Sequence, residues 1–327
     1  MSRLAPIGRF VLGAAISLSL PPYGLWALTP ICLGLHLKFS RDTSRRRQLL
    51  NSFCLWMGYY TVALFWMTDL TFAGWVVATP VQALIMATPM AFVPSSGPGR
   101  CIAFPSALLV GEAIRWVVPF GGVHMSRLAL GPIASSLVDV VRVGGPLLLI
   151  GSIGIWALAV EGVLSTQLRT VLGALITVIG LIAVAQVAPV GQTEAVIQGS
   201  VVQAGGELGT RAATSSPTAV FDRHLEAVAS REVETDLMVW SESSVTATAP
   251  LERSAELSTI VQLAQSLDAV IVANFSEVDG EYFRNASVSV NPDTGIADRY
   301  DKVHLVPFGE YIPLRSFVER FADLSLI

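Results

Sequence analysis

The chain has 327 residues, a net charge of −4 and an apolar content of 52%. Residues 1–189 hold 12 of the 21 Lys and Arg but only 5 of the 25 Asp and Glu, and they are overwhelmingly apolar. This composition argues against a soluble first half, and the basic residues form no nucleic-acid-binding face. We therefore predict a polytopic transmembrane domain over residues 1–189 and a separate acidic domain over residues 190–327.

Seven apolar segments follow one another in the first domain. The first two are short for a membrane span, which needs ~17–25 residues. They form either two spans or a hairpin around Pro21-Pro22. The approximate limits of the segments are 8–20, 23–38, 48–68, 72–94, 101–119, 134–160 and 170–189.

The arginines predict the orientation of these segments. The loop 39–47 carries four arginines, and the loops on its side of the membrane hold nine Lys and Arg in total, against three on the other side. Basic loops usually stay in the cytoplasm. We therefore expect a cytoplasmic N-terminus and an extracytoplasmic second domain, residues 190–327.

Two charged residues lie inside the fifth segment. Glu112 and Arg115 are three residues apart and share one helix face, and an ionisable pair inside a membrane is a candidate functional site. The alternative is a pair that reaches the membrane interface and stabilises the helix bundle. We favour this alternative.

No metal or cofactor site is predicted. The three cysteines, Cys32, Cys54 and Cys101, all lie in apolar segments, and the four histidines lack metal-ligand spacing. No Gly-rich phosphate loop occurs between a strand and a helix.

Strands and helices alternate in the second domain, which predicts an α/β layered fold. Ser216 and Pro217 have the pattern of an N-cap followed by a first-turn proline. The predicted elements are a strand within 196–205, a helix from Ser216, a strand at 236–243, a helix at 256–268, a strand at 269–278 and a hairpin over 282–302.

Two reactive side chains follow strands of this domain. Glu242 follows the strand at 236–240, and Lys302 follows the strand at 296–300. Reactive groups of α/β sheets commonly lie just past the carboxyl ends of strands. Brought together, the pair could serve as a general base and an oxyanion stabiliser. The alternative is a surface ion pair, or two unrelated charges.

The motifs around these residues resemble a known family. "VWSES" (239–243) and "YDKVHLVPFGEYIPLR" (300–315) are similar to the glutamate and lysine motifs of the nitrilase superfamily. Combined with the apolar first domain and its "SLPPYGLWALTP" (19–30), they resemble the apolipoprotein N-acyltransferase family. The resemblance implies a carbon-nitrogen hydrolase fold, an α/β/β/α sandwich that is incomplete in this chain, and a bacterial cytoplasmic membrane location.

The resemblance also implies a Glu–Lys–Cys triad. Glu242 would take the thiol proton, Lys302 would stabilise the oxyanion, and Glu310 would support the site. The implied acyl donor is a membrane phospholipid. The implied acceptor is the N-terminal diacylglyceryl-cysteine of a lipoprotein, and no cofactor is involved.

The chain departs from this family at the nucleophile. Only 25 residues follow Lys302, and none is cysteine. We therefore expect no acyl transfer by these 327 residues alone. Three alternatives follow: a non-catalytic membrane remnant, half of a split enzyme whose second chain brings the cysteine, or a membrane-tethered nitrilase-type amidase. The seven apolar segments argue against the amidase, because a water-soluble substrate does not require them.

Overall fold

The chain folds into two compact units, Met1–Gly191 and Gln192–Ile327. The structure is a computed structural model. It describes residues 5–69, 72–122, 125–206, 216, 218–230, 234–247, 249–279, 282–307, 311–312, 314–318 and 320.

The first unit is helical, and its helices lie at the seven predicted apolar segments. Short helical turns at Phe65–Asp69, Leu128–Ala134 and Ser136–Val140 connect some of them. The α-helices of its described part are α1 Ala5–Ser17, α2 Leu28–Phe39, α3 Arg45–Ala63, α4 Phe72–Met90, α5 Arg100–Arg115, α6 Val141–Leu164 and α7 Leu168–Val187.

Three stretches of this unit are long and apolar enough to cross a membrane. Within the described residues they are Phe72–Met90, Ser136–Leu164 and Leu168–Val187. The apolar stretches in α1 and α2 are shorter, as the sequence predicts, and a turn containing Pro21 and Pro22 connects the two helices. The number of crossings therefore stays a prediction.

Helices α1 and α3 approach each other at two glycines. A Cβ atom on Gly13 would lie 1.7 Å from the Leu55 carbonyl oxygen, and one on Gly58 would lie 1.9 Å from the Phe10 carbonyl oxygen. Small residues allow such backbone contact between membrane helices. The pairing of α1 with α3 therefore depends on the absence of a side chain at both positions.

The first turn of α6 is interrupted. Gly144 and Gly145 have non-helical backbone angles, and Gly145 has φ +67° and ψ −170°. A residue with a Cβ atom rarely adopts this conformation. The regular part of α6 therefore begins near Pro146, which is well suited to a first turn because it lacks an N–H group.

The second unit is built on one six-stranded sheet in its described part. The strand order is β1-β2-β4-β5-β6, and β3 also pairs with β4. Strands β1, β2, β3 and β4 pair in parallel, whereas β5 runs antiparallel to both β4 and β6. The strands are β1 Gly199–Val202, β2 Leu237–Trp240, β3 Val245–Ala247, β4 Val270–Asp279, β5 Tyr282–Asn291 and β6 Gly295–Asp301.

The sheet packs against two helices, α8 (Ala219–Ala229) and α9 (Ala255–Leu267). The predicted start of α8 at Ser216 is wrong, because the helix begins at Ala219 with Thr218 in the N-cap position. Pro217 lies outside the described residues. By contrast, α9 begins with an N-cap, since the Ser254 hydroxyl accepts a hydrogen bond from the Leu257 N–H at 3.1 Å.

The shortest strand, β3, was not predicted from the sequence. Three residues are too few for a recognisable alternation, and the strand forms because β4 offers a free edge beyond the end of β2. A short helix, α10 (Arg315–Val318), follows β6 in the chain.

Candidate active site

Strand direction brings Glu242 and Lys302 to the same edge of the sheet. Strand β2 runs parallel to β4, and β6 has the same direction because two antiparallel pairings separate it from β4. Glu242 lies two residues after β2, and Lys302 lies directly after β6. Their side chains therefore point into one region although 60 positions separate them in the chain.

The two side chains form an ion pair. Lys302 Nζ donates to Glu242 Oε1 at 2.5 Å. The carboxylate is 61% exposed and the lysine side chain 24% exposed, so the pair remains open to solvent. It lies in a cleft of about 210 Å³ whose other lining residues are Val239, Trp240, Val272, Ala273, Asn274, Asn285, Ser287 and Tyr300.

An amide of strand β5 links the two charged residues. Asn285 Nδ2 donates to Glu242 Oε1 at 3.3 Å, and the Asn285 carbonyl accepts from the Lys302 N–H at 2.8 Å. Asn285 therefore contacts the carboxylate with its side chain and fixes the lysine backbone with its main chain.

A second amide, Asn274 on β4, supports the first. Its Nδ2 group donates to Asn285 Oδ1 at 2.7 Å, and its Oδ1 accepts from the Ser243 N–H at 2.7 Å. The Ser244 hydroxyl accepts from the Asn274 N–H at 3.2 Å. Because Asn274 is buried, these bonds hold the segment that carries Glu242 against the centre of the sheet.

The segment after β2 turns sharply at Ser243, whose φ is +55°. This left-handed conformation is uncommon for a residue other than glycine. The Asn274 side chain accepts the Ser243 N–H, so the turn is held by the same amide that orients Asn285. The turn lets the chain leave β2 and enter β3, with Glu242 at the corner.

A buried histidine contacts Ser241, the residue before Glu242. His224 on α8 contacts the Val220 carbonyl through Nδ1 at 2.7 Å and the Ser241 hydroxyl through Nε2 at 3.1 Å. A carbonyl only accepts, so Nδ1 donates to Val220, and in the neutral ring Nε2 then accepts from the Ser241 hydroxyl. The ring also packs on Trp240 with centroids 5.1 Å apart.

The sequence predicted that Glu242 and Lys302 could meet, but it did not predict the residues that hold them in place. Asn274 and Asn285 lie within strands and carry no spacing signal, and His224 reads as one scattered histidine. The position of the third predicted residue, Glu310, lies outside the described residues. The second unit contains no cysteine in its sequence, and the three cysteines of the chain belong to the helical unit.

The second charged pair, Glu112 and Arg115, lies inside the helical unit. Arg115 Nη1 donates to Glu112 Oε1 at 2.9 Å, and both side chains are 0% exposed. The protein itself supplies their partners, which agrees with the predicted role in stabilising the helix bundle, and their distance from the membrane interface stays a prediction. Arg115 Nε donates to Gln82 Oε1 at 2.5 Å, and its guanidinium lies 4.8 Å from the Tyr60 ring centroid.

Comparison with known proteins identifies both units. The sequence model described as carbon-nitrogen hydrolase matches residues 181–322. The second unit is thus a domain of the nitrilase superfamily, attached to helices that are able to cross a membrane. The sequence model described as the apolipoprotein N-acyltransferase N-terminal domain matches residues 12–159. The chain belongs to the apolipoprotein N-acyltransferase family.

Individual relatives agree with this assignment. Apolipoprotein N-acyltransferase 2 of Treponema denticola is 33% identical over 107 residues, which cover 30% of this chain and 20% of the relative. Apolipoprotein N-acyltransferase of Methylococcus capsulatus is 24% identical over 96% of this chain and 66% of its own length. The relative from Shewanella oneidensis is 22% identical, over 98% of this chain and 67% of its own length. The last two matches cover almost all of this chain but only about two thirds of the length of each relative.

Proposed function

We propose that this chain provides the membrane domain and the Glu–Lys half of the catalytic site of a phospholipid-dependent N-acyltransferase acting on lipoproteins. The observation that carries the proposal is the Glu242–Lys302 ion pair, 2.5 Å long, at the strand ends of a carbon-nitrogen hydrolase domain. The match of residues 12–159 to the N-terminal domain of the acyltransferase family supports this choice over a membrane-tethered nitrilase-type amidase.

In this proposal Glu242 is the general base. Its carboxylate accepts a hydrogen bond from Asn285 and from Lys302, and its exposed face leaves room for an incoming thiol. A thiolate is a far stronger nucleophile than a thiol, so a base must lie beside the attacking cysteine. The thiolate attacks the ester carbonyl of a phospholipid, a lysophospholipid alcohol leaves, and a thioester remains.

Lys302 is the proposed oxyanion stabiliser. Its ammonium group lies in the same cleft, and its backbone is fixed by the Asn285 carbonyl. Preorganised charge at the developing oxyanion is among the largest contributions to catalysis of acyl transfer. In the second step the α-amine of a diacylglyceryl-cysteine attacks the thioester, an amide forms, and the thiol is released. Glu310 is proposed to support this site.

The thiol itself is proposed to come from residues outside these 327, because no cysteine follows Cys101 in the chain. Either a continuation of the polypeptide or a separate chain could carry it. We also propose that the unit formed by residues 192–327 faces the extracytoplasmic side, where mature lipoproteins present their N-termini.

Complementation tests the function. In a bacterial strain depleted of its own N-acyltransferase, we expect no growth with the 327-residue chain alone. Growth should return when a segment with the nucleophilic cysteine, taken from a full-length relative, is fused to the chain or co-expressed. Glu242→Gln and Lys302→Met should each abolish this rescue, whereas Asp293→Asn in the exposed β5–β6 turn should preserve it.

Two results would contradict the proposal. One is N-acylation of a diacylated lipoprotein by the purified 327-residue chain, which would place the acyl intermediate on Cys32, Cys54, Cys101 or a group other than a thiol. The other is rescue by the Glu242→Gln or Lys302→Met variant at wild-type expression, which would leave the ion pair without a catalytic role.

A further inference from the structure

A second cleft lies entirely within the helical unit, at the end opposite to Glu112 and Arg115. Its volume is about 580 Å³. It is formed where α2 and α6 end and where α5 and α7 begin. The residues that matter for its chemistry are Arg41, Arg100, Glu161, Gln167, Leu168 and Arg169.

The cleft carries an excess of positive charge. Three guanidinium groups line it against the single carboxylate of Glu161. Glu161 is buried and accepts from Arg41 Nε at 2.8 Å and from Arg100 Nε at 3.2 Å. One carboxylate cannot neutralise three arginines, so the cleft as a whole favours an anion.

The three arginines have different roles. Arg100 is 3% exposed and donates to the carbonyls of Pro94 at 2.8 Å and Leu37 at 2.5 Å, so its hydrogen bonds hold the helices together. Arg41 is 27% exposed and donates to Gln167 Oε1 at 2.9 Å as well as to Glu161. Arg169 is exposed and forms no ion pair with the described residues. Arg41 and Arg169 are therefore the groups that an incoming anion can reach.

The helix termini add to this charge. Both α5 and α7 begin at the cleft, and neither contains an acidic residue in its first turn. The first turn of a helix carries a partial positive charge on its free N–H groups. The positive partial charges of the two helix termini and the charges of the arginines thus both attract an anion to the cleft.

An apolar surface leads away from the cleft along α7. Four side chains, spaced by four, four and three residues, lie on one face of this membrane-length helix. They are exposed in the helical unit: Leu168 67%, Leu172 49%, Ile176 71% and Ile179 62%. A bound molecule with a phosphate in the cleft could therefore place hydrocarbon chains on this face.

We propose that the cleft binds the phosphate of an anionic phospholipid headgroup, with the acyl chains along the Leu168–Ile179 face of α7. The lipid would act as a bound structural partner, distinct from the acyl donor of the proposed reaction. The combination of an arginine-lined cavity with an adjoining apolar face selects a lipid over a free oxyanion. On the orientation proposed above, the site faces the cytoplasmic leaflet, where anionic lipids attract basic groups.

Native mass spectrometry of the purified 327-residue chain in detergent tests this inference. Phosphatidylglycerol and phosphatidylcholine with the same acyl chains would be titrated, and bound lipids counted. We expect phosphatidylglycerol to bind several-fold more tightly. Arg169→Gln should weaken its binding roughly tenfold, because one charge-assisted contact to phosphate is lost. The double variant Arg41→Gln/Arg169→Gln should remove the preference for phosphatidylglycerol.

Arg46→Gln is the matched control. Arg46 is an exposed arginine near the start of α3, and it does not line the cleft. It should bind phosphatidylglycerol like the wild type. Because Arg41 also contacts Glu161, the melting temperature of each variant would be recorded, and Arg169→Gln remains decisive if the double variant is unstable.

Three results would overturn the assignment. Equal losses in Arg169→Gln and Arg46→Gln would indicate a diffuse electrostatic attraction. Unchanged binding in Arg169→Gln would place the lipid elsewhere. Displacement of phosphatidylglycerol by millimolar inorganic phosphate would identify a site for a free oxyanion. None of these measurements depends on Glu242 or Lys302, so they are distinguishable from a failure of the proposed transfer reaction.

Discussion

Two asparagines on neighbouring strands, Asn274 and Asn285, make different contributions to the Glu242–Lys302 cleft. Asn274 is buried and bonded to the Ser243 N–H and to Asn285 Oδ1. Asn285 is half-buried and contacts the Glu242 carboxylate directly. Asn274 therefore stabilises the structure of the cleft, and Asn285 positions the Glu242 carboxylate.

Alanine variants should separate these two contributions. Asn274→Ala leaves the Ser243 N–H without its acceptor and should destabilise the protein by about 1–3 kcal/mol. Asn285→Ala should cost less, about 1 kcal/mol or below, because Asn274 Nδ2 loses Asn285 Oδ1 but keeps the Ala286 carbonyl as an acceptor at 3.3 Å. In the complemented enzyme it should nevertheless lower kcat by roughly tenfold or more, since the carboxylate loses a contact that orients it.

Thermal unfolding in detergent and the rate of acyl transfer check this pair of predictions. For each variant, the change in melting temperature is compared with the change in the rate of acyl transfer. If Asn285→Ala lowered the melting temperature as much as Asn274→Ala, the side chain of Asn285 would be structural, and its contact with Glu242 would have no special role.

At the scale of elements, the α1–α3 contact depends on two glycines. Gly58→Ala would bring a Cβ atom to 1.9 Å from the Phe10 carbonyl oxygen, so the two helices must move apart. We expect Gly58→Ala to lower the free energy of unfolding by about 1–3 kcal/mol. Gly180→Ala on α7 is the control, because no atom lies within 4 Å of its added Cβ. Melting temperatures of both variants in one detergent test this, and equal values would rule out the close contact.

Strands β4 and β6, separated by β5, are also linked by charge. Arg299 Nη2 donates to Glu277 Oε2 at 2.9 Å and to Asp301 Oδ1 at 2.8 Å. Glu277 Oε1 accepts the Leu251 N–H at 2.9 Å, so it joins the sheet to the loop before α9. The hydrogen bond from Arg299 lowers the pKa of Asp301.

This shift predicts a pH dependence. Because the folded-state pKa of Asp301 lies below its unfolded value, the aspartate stabilises the fold above the unfolded pKa of about 3.9. That contribution is lost as the pH falls through the folded-state pKa. The side chain is 57% exposed, so screening keeps the effect to a few tenths of a kcal/mol, about the size of a surface ion pair.

Melting curves of the wild type and Asp301→Asn between pH 6 and pH 2 measure this contribution. The wild type should be slightly more stable at pH 6, and the two curves should converge toward pH 2. A difference that persists unchanged at pH 2 would show that the effect of the substitution does not come from the charge of Asp301.

At the scale of the whole molecule, the charge distribution predicts the topology. Nine Lys and Arg lie on the side of the N-terminus and three on the other side. With seven crossings, we predict that the loop 39–47 is cytoplasmic and that residues 190–327 are extracytoplasmic. Reporter fusions test this prediction. Alkaline phosphatase and green fluorescent protein would each be fused at about residue 44 and at about residue 210. A cytoplasmic signal at the second position would contradict both the orientation and the proposed action on lipoproteins.

The sequence alone determined the class of each unit. Apolar runs with few charges require helices in a membrane, because only internal hydrogen bonds satisfy the backbone there. The alternation of short apolar strands with amphipathic helices predicted an α/β sheet, and the helix predicted at 256–268 lies at Ala255–Leu267. These properties are local, so they can be read from neighbouring residues.

Only the tertiary structure decided which distant residues meet. Glu242 and Lys302 form an ion pair because β2 and β6 point the same way in the sheet, and this direction depends on the pairing order of β4 and β5. The partners of Asn274, and the buried position of Glu112 and Arg115, likewise come from packing between elements. Pairing order and packing are sums over many contacts between remote segments, and no stretch of the chain encodes them by itself.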